Sequence, residues 1–217
     1  MYFWIKVGLN TYNQMKYKIF KDVIPPDVIQ YLKEYTSELK RRNRPMVGSF
    51  KPVGSGTYWQ GIDMASSYPL ASDEENQKLF KIYTSEFMFD IVSSLIKDPY
   101  LFNDQIVVKE PFENFQFEPH YDNQFGPSPG DESLITMNFM LVLDDFTPQN
   151  GGISVLDEDW VTLYPKTGDI LMIEGNTMHA SSRNNSEEPR RAYLCVYSNR
   201  PIGEGFQEGF YSDKFNI

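Results

Sequence analysis

Apolar residues recur at helical spacing in the first half of the chain and in short alternating runs in the second. After Pro25-Pro26-Asp27, which stops one element and starts another, Val28, Ile29, Leu32, Tyr35 and Leu39 fall three and four apart and predict a helix. A second predicted helix opens on Asp73-Glu74-Glu75, whose acid complements a helix N-terminus. It carries Leu79, Ile82, Tyr83, Phe87, Ile91, Leu95 and Ile96. Between them, residues 44–72 are rich in Gly, Pro and Ser and read as loop with short extended pieces. From residue 105 onward the period is two. Short β-rich runs cover 105–109, 114–117, 134–143, 153–156, 170–173 and 192–198, parted by turn clusters such as Gly126-Pro127-Ser128-Pro129-Gly130 and Gln149-Asn150-Gly151-Gly152. Strands in series after helices predict one mainly β domain over 1–217. Helical support spans about 26–98 and a sandwich or jelly-roll core about 105–200.

The longest β run carries a directional signal. Met137, Phe139, Leu141 and Leu143 form one wholly apolar face. Thr136, Asn138, Met140 and Val142 form the other, where polar groups are mixed in. The apolar face needs a core to cover it, so the mixed face is expected to line the interior of the barrel.

Composition narrows the field. Hydrophobic residues at 41% and a formal charge of −10 describe a globular chain without the basic field that a phosphate backbone requires, so nucleic acid is not an expected partner. The basic run Lys40-Arg41-Arg42-Asn43-Arg44 reads as a solvated helix C-terminus. No apolar stretch is long enough to span a bilayer, and Met1-Tyr2-Phe3-Trp4-Ile5 lacks the features of a secretory leader, so no membrane partner is expected. The lone Cys195, between Leu194 and Val196, reads as a buried inert thiol in a reducing, cytoplasmic setting. Monomer and homodimer both remain open.

Candidate chemistry centres on the only two histidines. His120-Tyr121-Asp122 follows a strand-like run, and residues two apart on a strand share a face, so imidazole and carboxylate are expected to converge. With 30 acidic residues in 217, a carboxylate falls two after a given histidine by chance about one time in seven, so the pair alone says little. His179 follows the 170–173 run, where strands of a jelly roll meet across the barrel mouth. Two histidines and one carboxylate on one side of a metal leave its other positions open, the facial arrangement of non-haem Fe(II) oxygenases. Arg190 stands eleven residues after His179 at the head of the last β run. A planar bidentate donor there suits the far carboxylate of a dicarboxylate co-substrate, and Ser181 can add a hydroxyl.

These pieces together resemble the phytanoyl-CoA dioxygenase-like family of Fe(II)/2-oxoglutarate oxygenases. The resemblance rests on His120-Tyr121-Asp122, on Leu143-Asp144-Asp145 leading to Asn150-Gly151-Gly152, on Gly168-Asp169-Ile170-Leu171, and on His179 through Ser181, Asn184 and Ser186 to Arg190-Arg191. It covers roughly 105–200. It implies a double-stranded β-helix of the jelly-roll, cupin-like kind. His120, Asp122 and His179 would hold Fe(II), and Arg190 with Ser181 would bind 2-oxoglutarate, with dioxygen as the third reactant. The implied reaction couples decarboxylation of 2-oxoglutarate to succinate with hydroxylation of an unactivated C–H bond in a small-molecule substrate. In related halogenases a small residue replaces the carboxylate ligand; here Asp122 is kept. The chain departs from the family in Leu156-Asp157-Glu158-Asp159-Trp160, where a Pro-Gly-Ser-His loop is usual, and in Met140, where a Trp is usual.

Gln116, Asn138 and Met140 are further candidates for contact with co-substrate or substrate, with Asn114 a weaker one. Tyr58, Trp59 and Gln60 read equally as a pocket wall or a packing plug. Asp144-Asp145 and Asn150-Gly151 read as turn chemistry. Two other functions stay in view: a hydroxylase of protein or peptide side chains, and a catalytically silent jelly-roll module that binds metal or ligand.

Overall fold

The helices form where the spacing places them, with one interruption. In the computed structural model, which describes residues 15–43, 63–65, 73–114, 116–125 and 133–200, α1 spans Pro26–Asn43 and buries Leu32, Tyr35 and Thr36 on one face. The basic run closes this helix, apart from Arg44, which lies outside the described residues along with Tyr58, Trp59 and Gln60. The single second helix expected from the spacing is two, α2 (Asp73–Tyr83) and α3 (Glu86–Ser93). Ser85 is the cause. Its backbone is extended at φ −66 and ψ 154, and its hydroxyl takes the Ile82 carbonyl at 2.6 Å, so the local bond competes with helix continuation.

The strands build two sheets. A six-stranded antiparallel sheet contains β1 (Tyr17–Phe20), β2 (Asp63–Ala65), β3 (Tyr100–Lys109), β5 (Thr136–Val142), β8 (Ile170–Glu174) and β10 (Arg190–Ser198), in the order β1-β8-β5-β10-β3-β2. A four-stranded sheet contains β4 (Phe117–His120), β6 (Ile153–Leu156), β7 (Trp160–Leu163) and β9 (His179–Ser181), in the order β4-β9-β6-β7. The 114–117 run corrects to β4 beginning at Phe117, because its backbone partners lie on β9, where Phe117 pairs with Ser181 and His120 with His179.

Period-two alternation separates the two faces of the large sheet. Phe139, Leu141, Tyr193, Cys195 and Tyr197 pack with Leu32, Leu79, Met88 and Val92 of the helices. Val107, Met140, Val142, Leu171, Ala192 and Leu194 point the other way and meet Ile153, Val155 and Leu163 of the small sheet. The mixed face of β5 therefore lines the interior. Burying one such aliphatic side chain contributes about 1.5–3 kcal/mol, so both faces are strongly specified and a register slip by one residue is disfavoured. Cys195 is buried, and burial followed by the nearby Asp104 charge pushes its thiol well up, which suits an inert core residue.

The motifs flanking the sheets do structural work. Asp169 accepts the amides of Asp22 and Lys166 on its two oxygens, which ties the start of β8 to the chain after β1. Asn150 accepts the Thr147 amide and donates to the Asp145 carbonyl, closing the turn before β6. Asp144 exceeds its turn reading, because Arg191 grips it through Nε at 2.7 Å and Lys33 of α1 reaches it at 3.1 Å. Burial works to raise that carboxyl, yet the Arg191 bonds and charge win and hold it below the usual range. Gly151 has φ 89, and a Cβ there would stand 2.6 Å from the carbonyls of Ser182 and Arg183. Gly151→Ala is therefore expected to lose at least about 1 kcal/mol, read as a lowered thermal midpoint. An unchanged midpoint would show that this turn is not held as described.

Candidate active site

Strand pairing brings the two histidines together. His120 ends β4 and His179 opens β9; they are register partners, with ring centroids 4.3 Å apart. Each Nδ1 lies against a carbonyl two residues back, Glu118 at 2.7 Å for His120 and Thr177 at 2.9 Å for His179. A carbonyl only accepts, so each Nδ1 carries the proton and each Nε2 presents a lone pair. Burial, followed by the neighbouring His179, holds His120 below its ordinary pKa and favours the neutral, ligating ring.

Asp122 reaches the same point by a different route from the one its spacing suggests. It lies beyond β4, at the start of a one-turn 3-10 helix, Asp122–Phe125, so the chain bends to deliver the carboxylate. That turn is docked. Asn123 donates its amide to the Gly175 carbonyl at 3.0 Å and its side chain to Asn176, and the Thr136 hydroxyl reaches the Asn123 side chain. Gly175 permits the approach, since a Cβ there would lie 1.9 Å from the Thr136 hydroxyl. Asp122 Oδ1 then sits 3.7 Å from His120 Nε2 and 3.5 Å from His179 Nε2.

The three ligand atoms lie within 4.8 Å of one another. Two ring lone pairs and a carboxylate oxygen, all acceptors, face a common point, an arrangement that a divalent cation completes. Asn138 of β5 reaches across from the large sheet, its amide 3.2 Å from the other Asp122 oxygen. Its own carbonyl oxygen is buried without a hydrogen-bond partner, a vacant acceptor at the edge of the cluster. The donor set fits iron(II).

A second polar cluster lies deeper on the interior face. Arg190 heads β10, is 2% exposed, stacks 4.4 Å over the Phe146 ring and donates to the Gly151 carbonyl at 2.7 Å. Ser181, two residues past His179, is buried on β9. Lys109, which sequence reasoning missed, ends β3 as the register partner of Arg190 and is also 2% exposed. The one hint in the sequence was its spacing, two residues after Val107 at the end of a β run, which does not tell it from an exposed lysine. Arg191 faces the helices instead, on Asp144.

The remaining candidates sit apart. Met140 is buried on the interior face, packed with Leu171 and Leu194 and not drawn into either polar cluster. Gln116, just before β4, donates to Glu118 at 2.7 Å. Asn114 is exposed. Among the described residues no helix is long and apolar enough to cross a membrane.

Comparison with known proteins agrees with this geometry. Dioxygenase andF of Emericella variicolor is 32% identical over 83 residues, which span 32% of this chain and 29% of that protein. Among solved structures, the non-heme alpha ketoglutarate dependent epimerase SnoN from nogalamycin biosynthesis superposes with a TM-score of 0.66 at 22% identity, covering 94% of this chain and 89% of that one. EctD from S. alaskensis, solved with 2-oxoglutarate and 5-hydroxyectoine, gives 0.65 at 17% identity over 85% and 73%. AviO1 from Streptomyces viridochromogenes Tue57 gives 0.66 at 17% identity over 88% and 92%. The fold is thus the mostly antiparallel jelly roll of these structures. The sequence model for phytanoyl-CoA dioxygenase (PhyH) matches residues 17–158 and 154–192, from β1 through both histidines into β10, and the chain belongs to that family.

Proposed function

We propose that this protein is an Fe(II)- and 2-oxoglutarate-dependent dioxygenase that hydroxylates an unactivated C–H bond of a small metabolite, releasing succinate and CO2. The observation that carries the reading is the convergence of His120 Nε2, His179 Nε2 and Asp122 Oδ1 on one point, beside a buried arginine and serine. His120, Asp122 and His179 would hold the metal on one side, which leaves positions for a bidentate 2-oxo acid and for dioxygen. Bound iron with 2-oxoglutarate supplies the activation of dioxygen.

The chain's own residues account for the rest. Glu118 and Thr177 carbonyls fix the imidazoles in the ligating tautomer. Asn138 holds the second Asp122 oxygen and keeps that carboxylate aimed. Arg190 and Ser181 would receive the far carboxylate of 2-oxoglutarate, and the Met140, Val142, Leu171 and Ile173 wall keeps water from the interior side. The family and the SnoN and EctD likenesses support the small-metabolite class. SnoN is an epimerase and EctD was solved with 5-hydroxyectoine, so the substrate of this chain has to be found directly.

The experiment is a screen of fractionated metabolite extracts that reads substrate-stimulated succinate release. One fraction is expected to raise succinate several-fold over the uncoupled background, with a one-atom oxygen gain in its product labelled from dioxygen. A response to a peptide library with none to any metabolite fraction would replace this reading with a protein hydroxylase. A halogenated product in excess chloride would remove the hydroxylation.

A further inference from the structure

Asn138 leaves half of its side-chain amide unused. Its nitrogen lies 3.2 Å from Asp122 Oδ2, while its carbonyl oxygen is buried without a hydrogen-bond partner on a residue only 7% exposed. The amide cannot sit the other way round, because its oxygen would then face the carboxylate, acceptor against acceptor. Its neighbours on the interior face of β5 have no donor to give. The strand partners of Asn138 are Val196 on β10 and Ile173 on β8, both aliphatic, and Met140 follows two residues along. The hydroxyl of Thr136, two residues before, is committed to Asn123. A buried acceptor without a donor costs stability, and a ligand that supplies one recovers that loss.

We propose that Asn138 is a specificity-determining residue: its carbonyl oxygen accepts a hydrogen bond from an O–H or N–H group of the substrate, so the enzyme takes polar metabolites with such a donor close to the carbon it oxidises. The proposal rests on the reading under Proposed function. Elimination among the reactants carries it. Ionised 2-oxoglutarate brings carboxylate and keto oxygens, all acceptors, and dioxygen has no hydrogen. Of the reactants, only the substrate can bring a donor. The product gains its hydroxyl after the new bond is made, too late to select what enters.

The contact with Asp122 also preorganises the oxygen, since the carboxylate fixes which end of the amide is left for a ligand. The Asp122 side chain is 26% exposed, and it marks the side from which a small molecule reaches Asn138. A site built around a hydrogen bond rejects analogues that lack the donor, because they leave its acceptor unpaired. An aliphatic wall in the same place would discriminate by size and shape alone. An Asn138 that only steadied Asp122 would affect metal retention and leave the choice between donor and methylated analogue untouched.

The test uses the iron(II)-loaded protein, saturated with 2-oxoglutarate and kept from oxygen. It is titrated by calorimetry with a panel of small alcohols and secondary amides, each paired with its O- or N-methylated form. At least one donor is expected to bind about tenfold or more tighter than its methylated partner. In Asn138→Leu the members of that pair should come within about twofold of each other. That variant also loses the Asp122 contact, so a second measurement keeps the wild-type sequence and decides the matter should the variant lose its metal. With isotope-labelled asparagine and zinc(II) in place of iron, the Asn138 side-chain amide resonance is expected to shift with the donor and not with its methylated partner. No donor preference in wild type, a preference that survives in Asn138→Leu, or an unmoved Asn138 resonance each overturns the proposal and leaves the oxygenase reading standing. A resonance that moves with metal alone, and no further with any donor, gives the oxygen to a metal-bound water and overturns it as well. Wild type that binds no 2-oxoglutarate removes both.

Discussion

His120→Ala and His179→Ala are each expected to abolish iron retention, with affinity falling by more than about 100-fold, the upper range for losing a group that only orients a ligand. The two rings are register partners on adjacent strands, and each delivers its Nε2 to the same point as Asp122. Removing either leaves two ligands, which cannot define one face of the metal. Both side chains lie on strands fixed by the pairing of β4 with β9 and β9 with β6, so the variants should fold. Metal analysis after desalting decides it. Stoichiometric iron in either variant would mean the metal is held elsewhere.

The neighbouring arginines should separate cleanly. Arg190→Ala is expected to cost about 2–5 kcal/mol of 2-oxoglutarate binding, as the loss of a desolvated charge-assisted pair does. Arg191→Ala should leave that affinity nearly unchanged and instead cost about 1–3 kcal/mol of stability, because it strips a largely buried Asp144 of its bidentate partner. Their division follows from consecutive residues of β10 facing opposite sides: Arg190 shares the interior with Ala192, while Arg191 bonds Asp144 and Ser37 of α1 on the helix side. Co-substrate titrations and thermal melts of the two variants give the comparison. A larger affinity loss at Arg191 would reverse the assignment.

The sequence announced the candidate metal ligands because their chemistry is scarce. With only two histidines, one followed two residues later by an aspartate, few other three-ligand sites could be drawn. The faces of β5 were legible because one was wholly apolar. What stayed hidden depends on partners distant in the chain. β9 has three residues and no apolar alternation, and exists because β4 and β6 flank it. β7 carries the exposed Trp160 and Val161 at a sheet edge and buries only Leu163, so its pattern lacks alternation. Asp122 looked like a strand residue, but the docking of Asn123 against Gly175 bends the chain just before it contributes. Lys109 resembled any other basic residue until its position opposite Arg190 was known.

The central claim is that one iron and one 2-oxoglutarate meet at the triad. Anaerobic titration of the wild-type protein with both tests it without a substrate. A weak visible charge-transfer band from the metal to the chelated 2-oxo acid is expected only when iron(II) and 2-oxoglutarate are both present. It should saturate at one of each per chain and be absent in His179→Ala. No band in the wild type, or the same band in His179→Ala, would contradict the account.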